Sequence, residues 1–305
     1  MSEVEKARVA ERLLTLTRVP VLDGLRPEQL PLLARTGREQ VFARRTVLAR
    51  EGEQLLAFSL PLAGRLVLRR QALEWGAFEA LARLGILGVL AGRAMPADLI
   101  AEAGTVAFIL DLDALRSLLD ENGALSRQLL RSLAAEVRSV EHDPAWARRG
   151  PIGRLPVGGD LVSRMLVLRE TLGLGVDGMT LVSRLARAAR EIHLGPGMAA
   201  PGTADHADVL ILVRGRLRQV RTDGEPAQFE SGDVIGISDA VAGLKGGGRI
   251  TALLPSSALL IPYSELSEAI SDDDLLCFEL TRAFAGALWD FHARRQDAGF
   301  AGPGS

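Results

Sequence analysis

Four histidines, one cysteine and two acidic clusters are the residues of this chain whose types could do catalytic or metal chemistry, and none is spaced for it. His142, His193, His206 and His292 are scattered, without the paired spacing that metal ligation uses. His206 stands beside Asp205 and Asp208, which could hold a metal ion, but a polar turn ahead of an apolar strand accounts for the grouping. Asp272-Asp273-Asp274 precedes an apolar run from Leu275. There carboxylates cap free N–H groups and offset the helix dipole. Cys277 sits in Leu275-Leu276-Cys277-Phe278 and reads as a small buried hydrophobe, not a nucleophile. A single cysteine excludes an internal disulfide and a Cys-based zinc site. No Walker-type loop, nucleophile elbow or HExxH motif is present. The expectation is a protein that is not an enzyme and holds no metal.

The elements that would position any site occur twice. Leu13-Leu14-Thr15-Leu16 recurs as Met165-Leu166-Val167-Leu168, Leu33-Ala34-Arg35 as Leu185-Ala186-Arg187, and Arg38-Glu39 as Arg190-Glu191, each 152 positions on. Gly64-Arg65-Leu66 recurs as Gly215-Arg216-Leu217, 151 positions on. The period uses up the 305 residues, so one unit has been duplicated. The expected organisation is a first domain over 1–142, a link over 143–159, a second domain over 160–296 and a disordered tail over 297–305. The link carries Pro144, Pro151, Pro156, Gly158 and Gly159.

Composition is 48% hydrophobic and 24% charged, enough for a core in each half, and the net charge of −2 gives no general pull towards nucleic acid or anionic membrane. Lys6 and Lys245 are the only lysines, as a GC-rich bacterial genome would produce. Met1 to Arg12 is charged and polar, unlike a secretory signal, and no apolar run reaches transmembrane length. A soluble cytoplasmic protein is expected.

Within each half the apolar period changes from helical to strand-like and back. Helical spacing covers Ser2 to Leu16, and a second helix is expected from Arg26-Pro27 to about Ala34. Strand-like text covers Gln40–Leu48, Ala57–Leu62, Arg65–Arg69, Leu99-Ile100 and Val106–Leu110. Leu84–Leu90 is apolar with glycines, and helical period returns from Asp113 to Val140. The second half repeats the order. Helix is expected over Asp160–Leu172 and Met179–Glu191, then strands over Ile192–Met198, Val209–Val213, Arg216–Val220, Ile250–Leu254 and Ala258–Ile261. Helix closes it over Tyr263–Ile270 and Leu275–Arg295. Short strands with glycine turns inside a helical frame predict a small barrel or sandwich with flanking helices.

The run from Ala207 to Leu217, through Leu210-Ile211-Leu212-Val213-Arg214-Gly215, resembles the cyclic-nucleotide-binding domain superfamily, where a strand ends in a glycine turn and a second strand follows. Phe229-Glu230-Ser231-Gly232-Asp233-Val234-Ile235-Gly236 resembles the family's approach to its phosphate-binding cassette. Leu60–Leu68 and Leu84-Gly85-Ile86-Leu87-Gly88 are the looser counterparts in the first half. Leu22-Asp23-Gly24-Leu25 with Pro27-Glu28-Gln29-Leu30 is similar to the family's helical entry. The resemblance covers both halves. It implies an α+β, mainly β fold: two tandem, degenerate cyclic-nucleotide-binding-like jelly-roll barrels, each of eight strands with flanking helices.

It also implies a site. After the cassette glycine a short helix begins, whose free N–H groups and positive dipole end suit a cyclic phosphate. The family places a Glu after the glycine for the ribose hydroxyl and an Arg about ten residues on for the phosphate. Here Val89 and then Leu90 follow Gly88, and Ile237 and then Ser238 follow Gly236. Pro96-Ala97-Asp98 and Gly246-Gly247-Gly248 stand near the Arg positions. A charge-assisted hydrogen bond is worth about 1.5–3 kcal/mol, so losing both anchors raises Kd more than about a hundredfold. Substitute cations are Arg93 in the first cassette and Lys245 and Arg249 in the second; each could reach an anion or stay a solvated surface charge. The triple glycine is a mobile loop tip or a close-approach backbone.

Leu276, Leu280, Phe284, Leu288 and Phe291 form one stripe on the last helix, a surface for packing within the chain or for pairing two chains as a homodimer. No helix-turn-helix is expected in the nine residues after 296. The expected function is that of a non-catalytic bacterial regulatory or scaffold protein acting through protein–protein contacts, with no cofactor, no nucleic acid and no membrane. The alternative is a sensor that binds a cyclic nucleotide or other anionic ligand at a non-standard cassette. A weaker alternative is a transcriptional regulator without a helix-turn-helix.

Overall fold

The structure is a computed structural model and describes residues 3–19, 22–71, 73–76, 78–141, 143, 146, 160–172, 179–201, 207–220, 226–246 and 248–300. By packing the chain divides into unit 1, Met1–Leu133 with Phe284–Ser305, and unit 2, Ala134–Ala283. Repeat boundaries and packing boundaries are therefore different divisions of this chain. Most of the link at 143–159, and residues 301–305 of the tail, lie outside the described residues.

The first repeat opens with α1 (Glu3–Leu16) and α2 (Leu30–Thr36), followed by β1 (Arg38–Phe42), β2 (Thr46–Ala49), β3 (Ala57–Ala63), β4 (Leu66–Arg70) and β5 (Leu73–Gly76). Then come α3 (Phe78–Ala91), β6 (Asp98–Ala101), β7 (Thr105–Asp111), α4 (Leu112–Glu121) and α5 (Gly123–Val140). Its strands form two antiparallel sheets, β1-β7-β3 and β2-β6-β4-β5. The second helix starts four residues later than its sequence expectation. Arg26–Gln29 is a turn closed by Arg26 N–H donating to Gln29 Oε1 at 2.8 Å, and Pro31 takes the first helical turn.

The second repeat runs α6 (Leu161–Leu172), α7 (Met179–Ala188), β8 (Arg190–Leu194), β9 (Val209–Arg214), β10 (Arg216–Val220), β11 (Ala227–Glu230) and β12 (Val234–Ile235). It ends with α8 (Ile237–Ala242), β13 (Arg249–Ala252), β14 (Ser256–Ile261), α9 (Tyr263–Asp272) and α10 (Asp274–Phe300). Its sheets are β12-β9-β14-β8 and β11-β10-β13. The core of unit 2 lies between them. Leu194, Leu210, Leu212, Ile235, Ala258 and Leu260 from the first sheet meet Leu217, Ala227, Phe229 and Ala252 from the second. In β10, Leu217 and Gln219 point in while Arg216, Arg218 and Val220 point out, the period of two expected of a strand with one wet face. The expected helix over Met179–Glu191 stops at Ala188, because Arg190 onward pairs with β14.

Antiparallel jelly-roll-like sheets with flanking helices are thus present in both repeats. Of the eight strands that the resemblance implies, seven stand in the sheets of each repeat among the described residues. In the second repeat the missing strand is reduced to a single bridge, Ala199 to Thr251. In the first, the place of β12 falls inside α3.

Duplication is visible in the contacts as well as the letters. Arg12 Nη1 donates to Ala34 O at 3.1 Å and Gly37 O at 3.3 Å; Arg164 Nη1 donates to Ala186 O at 3.4 Å and Ala189 O at 2.9 Å. All three positions are 152 apart, so each repeat uses one Arg to satisfy the orphan carbonyls at the end of its second helix. Arg12 also pairs with Glu39 at 2.9 Å. Arg12→Ala and Arg164→Ala are each expected to lower stability by about 2 kcal/mol, since a charged donor is lost from two carbonyls. Urea unfolding of the single and double variants measures this.

The glycine turns are clasped in the same way. Arg65 N–H donates to Thr105 Oγ1 at 3.1 Å, and that hydroxyl donates to Arg65 O at 2.9 Å. Arg216 N–H donates to Ser256 Oγ at 3.1 Å, 151 positions on. Each turn carries the chain from one sheet to the other, β3 to β4 and β9 to β10, and each hydroxyl belongs to the first residue of the strand paired with the first of these, β7 and β14.

Candidate functional site

The two cassettes differ in backbone, not only in side chains. In the second, Gly232 and Gly236 lie at φ 97° and 83°, and Gly236 caps the start of α8. An ideal Cβ at Gly236 would stand 2.8 Å from Asp208 O, so the turn needs glycine for space as well as for φ. In the first, Gly85 and Gly88 both lie within α3, a correction to the expectation of a turn before a helix at Gly88. The reason is that Phe78–Ala91 is one continuous helix, apolar apart from Glu79, Arg83 and its glycines, and stronger as a continuous element than two glycines are as breakers.

The structure also shifts the alignment of the cassettes by three residues. Gly92 and Gly243 end their helices at φ 63° and 70° and are 151 apart. After each, the next N–H closes the same wide turn, Arg93 N to Gly88 O at 2.9 Å and Leu244 N to Asp239 O at 2.8 Å. Gly236 is therefore matched by Gly85, and Ile237 by Ile86. Gly88 is matched by Asp239.

Val89 and Leu90 are 1% and 2% exposed, packed in the core of unit 1, and Gly88 is buried beside Trp289. Arg93 is exposed and its Nη2 donates to Asp290 Oδ2 at 2.8 Å. Asp98, near the expected Arg position, accepts from Glu51 N–H at 2.8 Å. In the second cassette Ile237 is half-buried and Ser238 is buried, while Lys245, in the loop before β13, and Arg249, the first residue of β13, are both exposed. Gly247 lies outside the described residues.

What touches the cassette helices is the end of a long helix in each unit. In unit 2, Arg138 Nε of α5 donates to Asp239 Oδ1, and Ser238 Oγ donates to Glu141 Oε2 at 2.8 Å. Both side chains of the first turn of α8 that could face an anion are thereby engaged. Asp239 places a carboxylate, 2% exposed, at the positive end of that helix. In unit 1, Trp289 of α10 covers Gly88, and Asp290 holds Arg93. Trp289 and Arg138 are 151 apart, as are Gly88 and Asp239, so the two covers are equivalent. Sequence reasoning missed Arg138, Glu141, Asp239, Trp289 and Asp290 as a set, because the partners lie about a hundred or more residues apart with no local motif.

The apolar stripe of the last helix is used within the chain. Leu276 and Leu280 are buried in unit 2, and Phe284, Leu288 and Phe291 in unit 1. Cys277 is buried and forms no disulfide. No group of three or more His, Cys, Asp or Glu among the described residues could hold a metal ion, and no helix there is long and apolar enough to cross a membrane. His206 and Asp205 lie outside the described residues, and Asp208 accepts from Tyr263 N–H at 2.9 Å.

No family model and no curated protein matches the sequence. Among solved structures the chain is similar to the regulatory subunit of a cAMP-independent protein kinase A from Trypanosoma brucei, at 16% identity over 90% of this chain and 89% of that one, with a TM-score of 0.35. It is similar to the regulatory domain of Toxoplasma gondii protein kinase A with cAMP, at 15% identity over 90% of this chain and 96% of that one, TM-score 0.32. A putative cyclic nucleotide-binding protein from Geobacter metallireducens matches 40% of this chain over 91% of its own, at 15% identity and a TM-score of 0.34.

Proposed function

We propose that this chain is a non-catalytic bacterial regulatory or scaffold protein that works in the cytoplasm through protein–protein contacts, with neither cassette binding a cyclic nucleotide in the usual way. The observation that supports it most is the state of the cassette helices. In unit 2 the first-turn groups are tied to Arg138 and Glu141, and in unit 1 Gly85 and Gly88 lie inside a helix, where backbone N–H groups are already bonded. Exposed apolar side chains at repeat-equivalent positions support contact surfaces. Leu14 of α1 and Leu166 of α6 are 71% and 41% exposed, with Val162 beside the latter at 66%.

A sensor is the second reading, supported only in unit 2, where the Gly236 turn still leads into the start of a short helix. Isothermal titration of the full chain with cyclic AMP, cyclic GMP and cyclic dinucleotides separates the two. No heat and no thermal shift at millimolar ligand is expected. A saturable signal lost on changing Lys245 or Arg249 to Ala would establish the sensor instead.

A further inference from the structure

Helices α5 and α10 begin at equivalent positions, Gly123 and Asp274, and each starts in one unit and ends in the other. The residues of α5 pass to unit 2 at Ala134, and those of α10 pass to unit 1 at Phe284, equivalent to within one residue. Each unit is therefore incomplete without a helix end from the other half of the sequence. Unit 1 is specific for its segment. Trp75, 1% exposed, donates its indole N–H to Asp297 Oδ1 at 2.9 Å and accepts from Gln296 Nε2 at 2.6 Å through its carbonyl. Arg70 lies over the Trp75 ring at 5.1 Å and donates to the same Asp297 oxygen at 2.6 Å. Leu288 and Phe291 are fully buried, and Asp290 pairs with Arg93.

The two halves are joined covalently through residues 142–159. Extended chain spans about 3.3–3.6 Å per residue, so this segment can reach on the order of 60 Å.

We propose that the halves exchange between two copies of this chain. The segment 284–300 of one copy completes unit 1 of a second, while 134–141 of the second completes unit 2 of the first. Both copies then contribute to each body, every contact within both units is kept, and the assembly closes as a dimer. Monomer and dimer differ in the path of the joining segment and in the entropy of association, so the balance is set by concentration and by loop closure. The exchange names one partner for the protein-contact reading, a second copy, and its test does not depend on any ligand.

The test uses full-length Arg93→Asp and full-length Asp290→Arg. Each alone sets like charges against each other in a closed monomer. In a mixed exchanged dimer one body brings the two substituted positions together as a charge-reversed pair, and the other keeps Arg93 with Asp290. The two proteins are mixed, warmed to the onset of unfolding, cooled and weighed by native mass spectrometry. Mixed dimer about five-fold above the statistical proportion is expected, the scale of partly exposed ion pairs restored in two places. Folded variants that stay monomeric, or that dimerise without charge preference, overturn the exchange. Should either variant fail to fold by circular dichroism, full-length Arg93→Lys, which keeps the charge pair, is made in isotopically light and heavy forms, mixed, warmed, cooled and coupled with a carbodiimide. A cross-link between positions 93 and 290 that joins a light to a heavy chain supports exchange, and cross-links of a single isotope alone overturn it. Neither negative result bears on the titration test of the proposed function.

Discussion

Arg138→Ala is expected to lower the stability of the chain by about 3–5 kcal/mol, because it removes the partner of a buried carboxylate. Asp239 has 3% of its side chain exposed and Arg138 has 20%, so the pair is largely shielded from solvent. An intact pair contributes little net stability, since desolvation offsets attraction. Breaking it takes the Arg138 guanidinium from a carboxylate that water barely reaches. The neighbouring Ser238–Glu141 bond shares the same helix ends and is expected to weaken with it. Arg93→Ala is the control. Its pair with Asp290 is 47% and 41% exposed, and loss of such a pair costs about 0.2–1 kcal/mol. Urea unfolding midpoints distinguish the two. Equal small losses for both would mean that Asp239 is not held by Arg138.

Gly215→Ala is the second large effect, about 3–5 kcal/mol, since strain and overlap act together. Gly215 lies at φ 103°, and an ideal Cβ there would stand 2.2 Å from Ser256 Oγ, 2.6 Å from Ser256 Cα and 2.7 Å from Pro255 O. The hydroxyl could rotate away, but the two backbone atoms cannot move without opening the pairing of β14 with β8 and β9. Gly52→Ala separates the two causes. At φ 82° it carries the same left-handed strain, with nothing within 4 Å of its Cβ, and about 1–2 kcal/mol is expected. Thermal denaturation should rank Gly215→Ala well below Gly52→Ala. A Ser256→Ala, Gly215→Ala double variant should recover little, because the closest immovable atoms are backbone.

Both sites show how far the letters alone reach. The glycine turn at Gly215 is legible, because an apolar run, a glycine and a second alternating run fix a strand, a turn and a strand by local chemistry. The hydroxyl that clasps it is forty residues away and leaves no mark in the local pattern. The Leu84–Leu90 segment shows the opposite failure. Its glycines suggest a turn, yet α3 runs through them, because helix formation over fourteen residues outweighs a cost of about 1 kcal/mol per glycine. That one helix moves the cassette equivalence from Gly88 to Gly85. The apolar stripe from Leu276 to Phe291 was readable as a packing face, but not which partner it meets, since any hydrophobic surface of suitable shape satisfies the same pattern.

The sequence by itself determined the duplication, the alternation of helical and strand periods, and the absence of an acidic and a basic anchor after the cassette glycines. These are local or periodic properties, written in side-chain type and spacing. Only the tertiary structure decided that Arg138 and Asp239 meet, that Trp289 lies on Gly88, and that the last part of α10 belongs to unit 1. Those pairings join residues about a hundred to two hundred positions apart. They depend on which surfaces of distant segments fit one another, a property of the assembled units that no stretch of sequence carries.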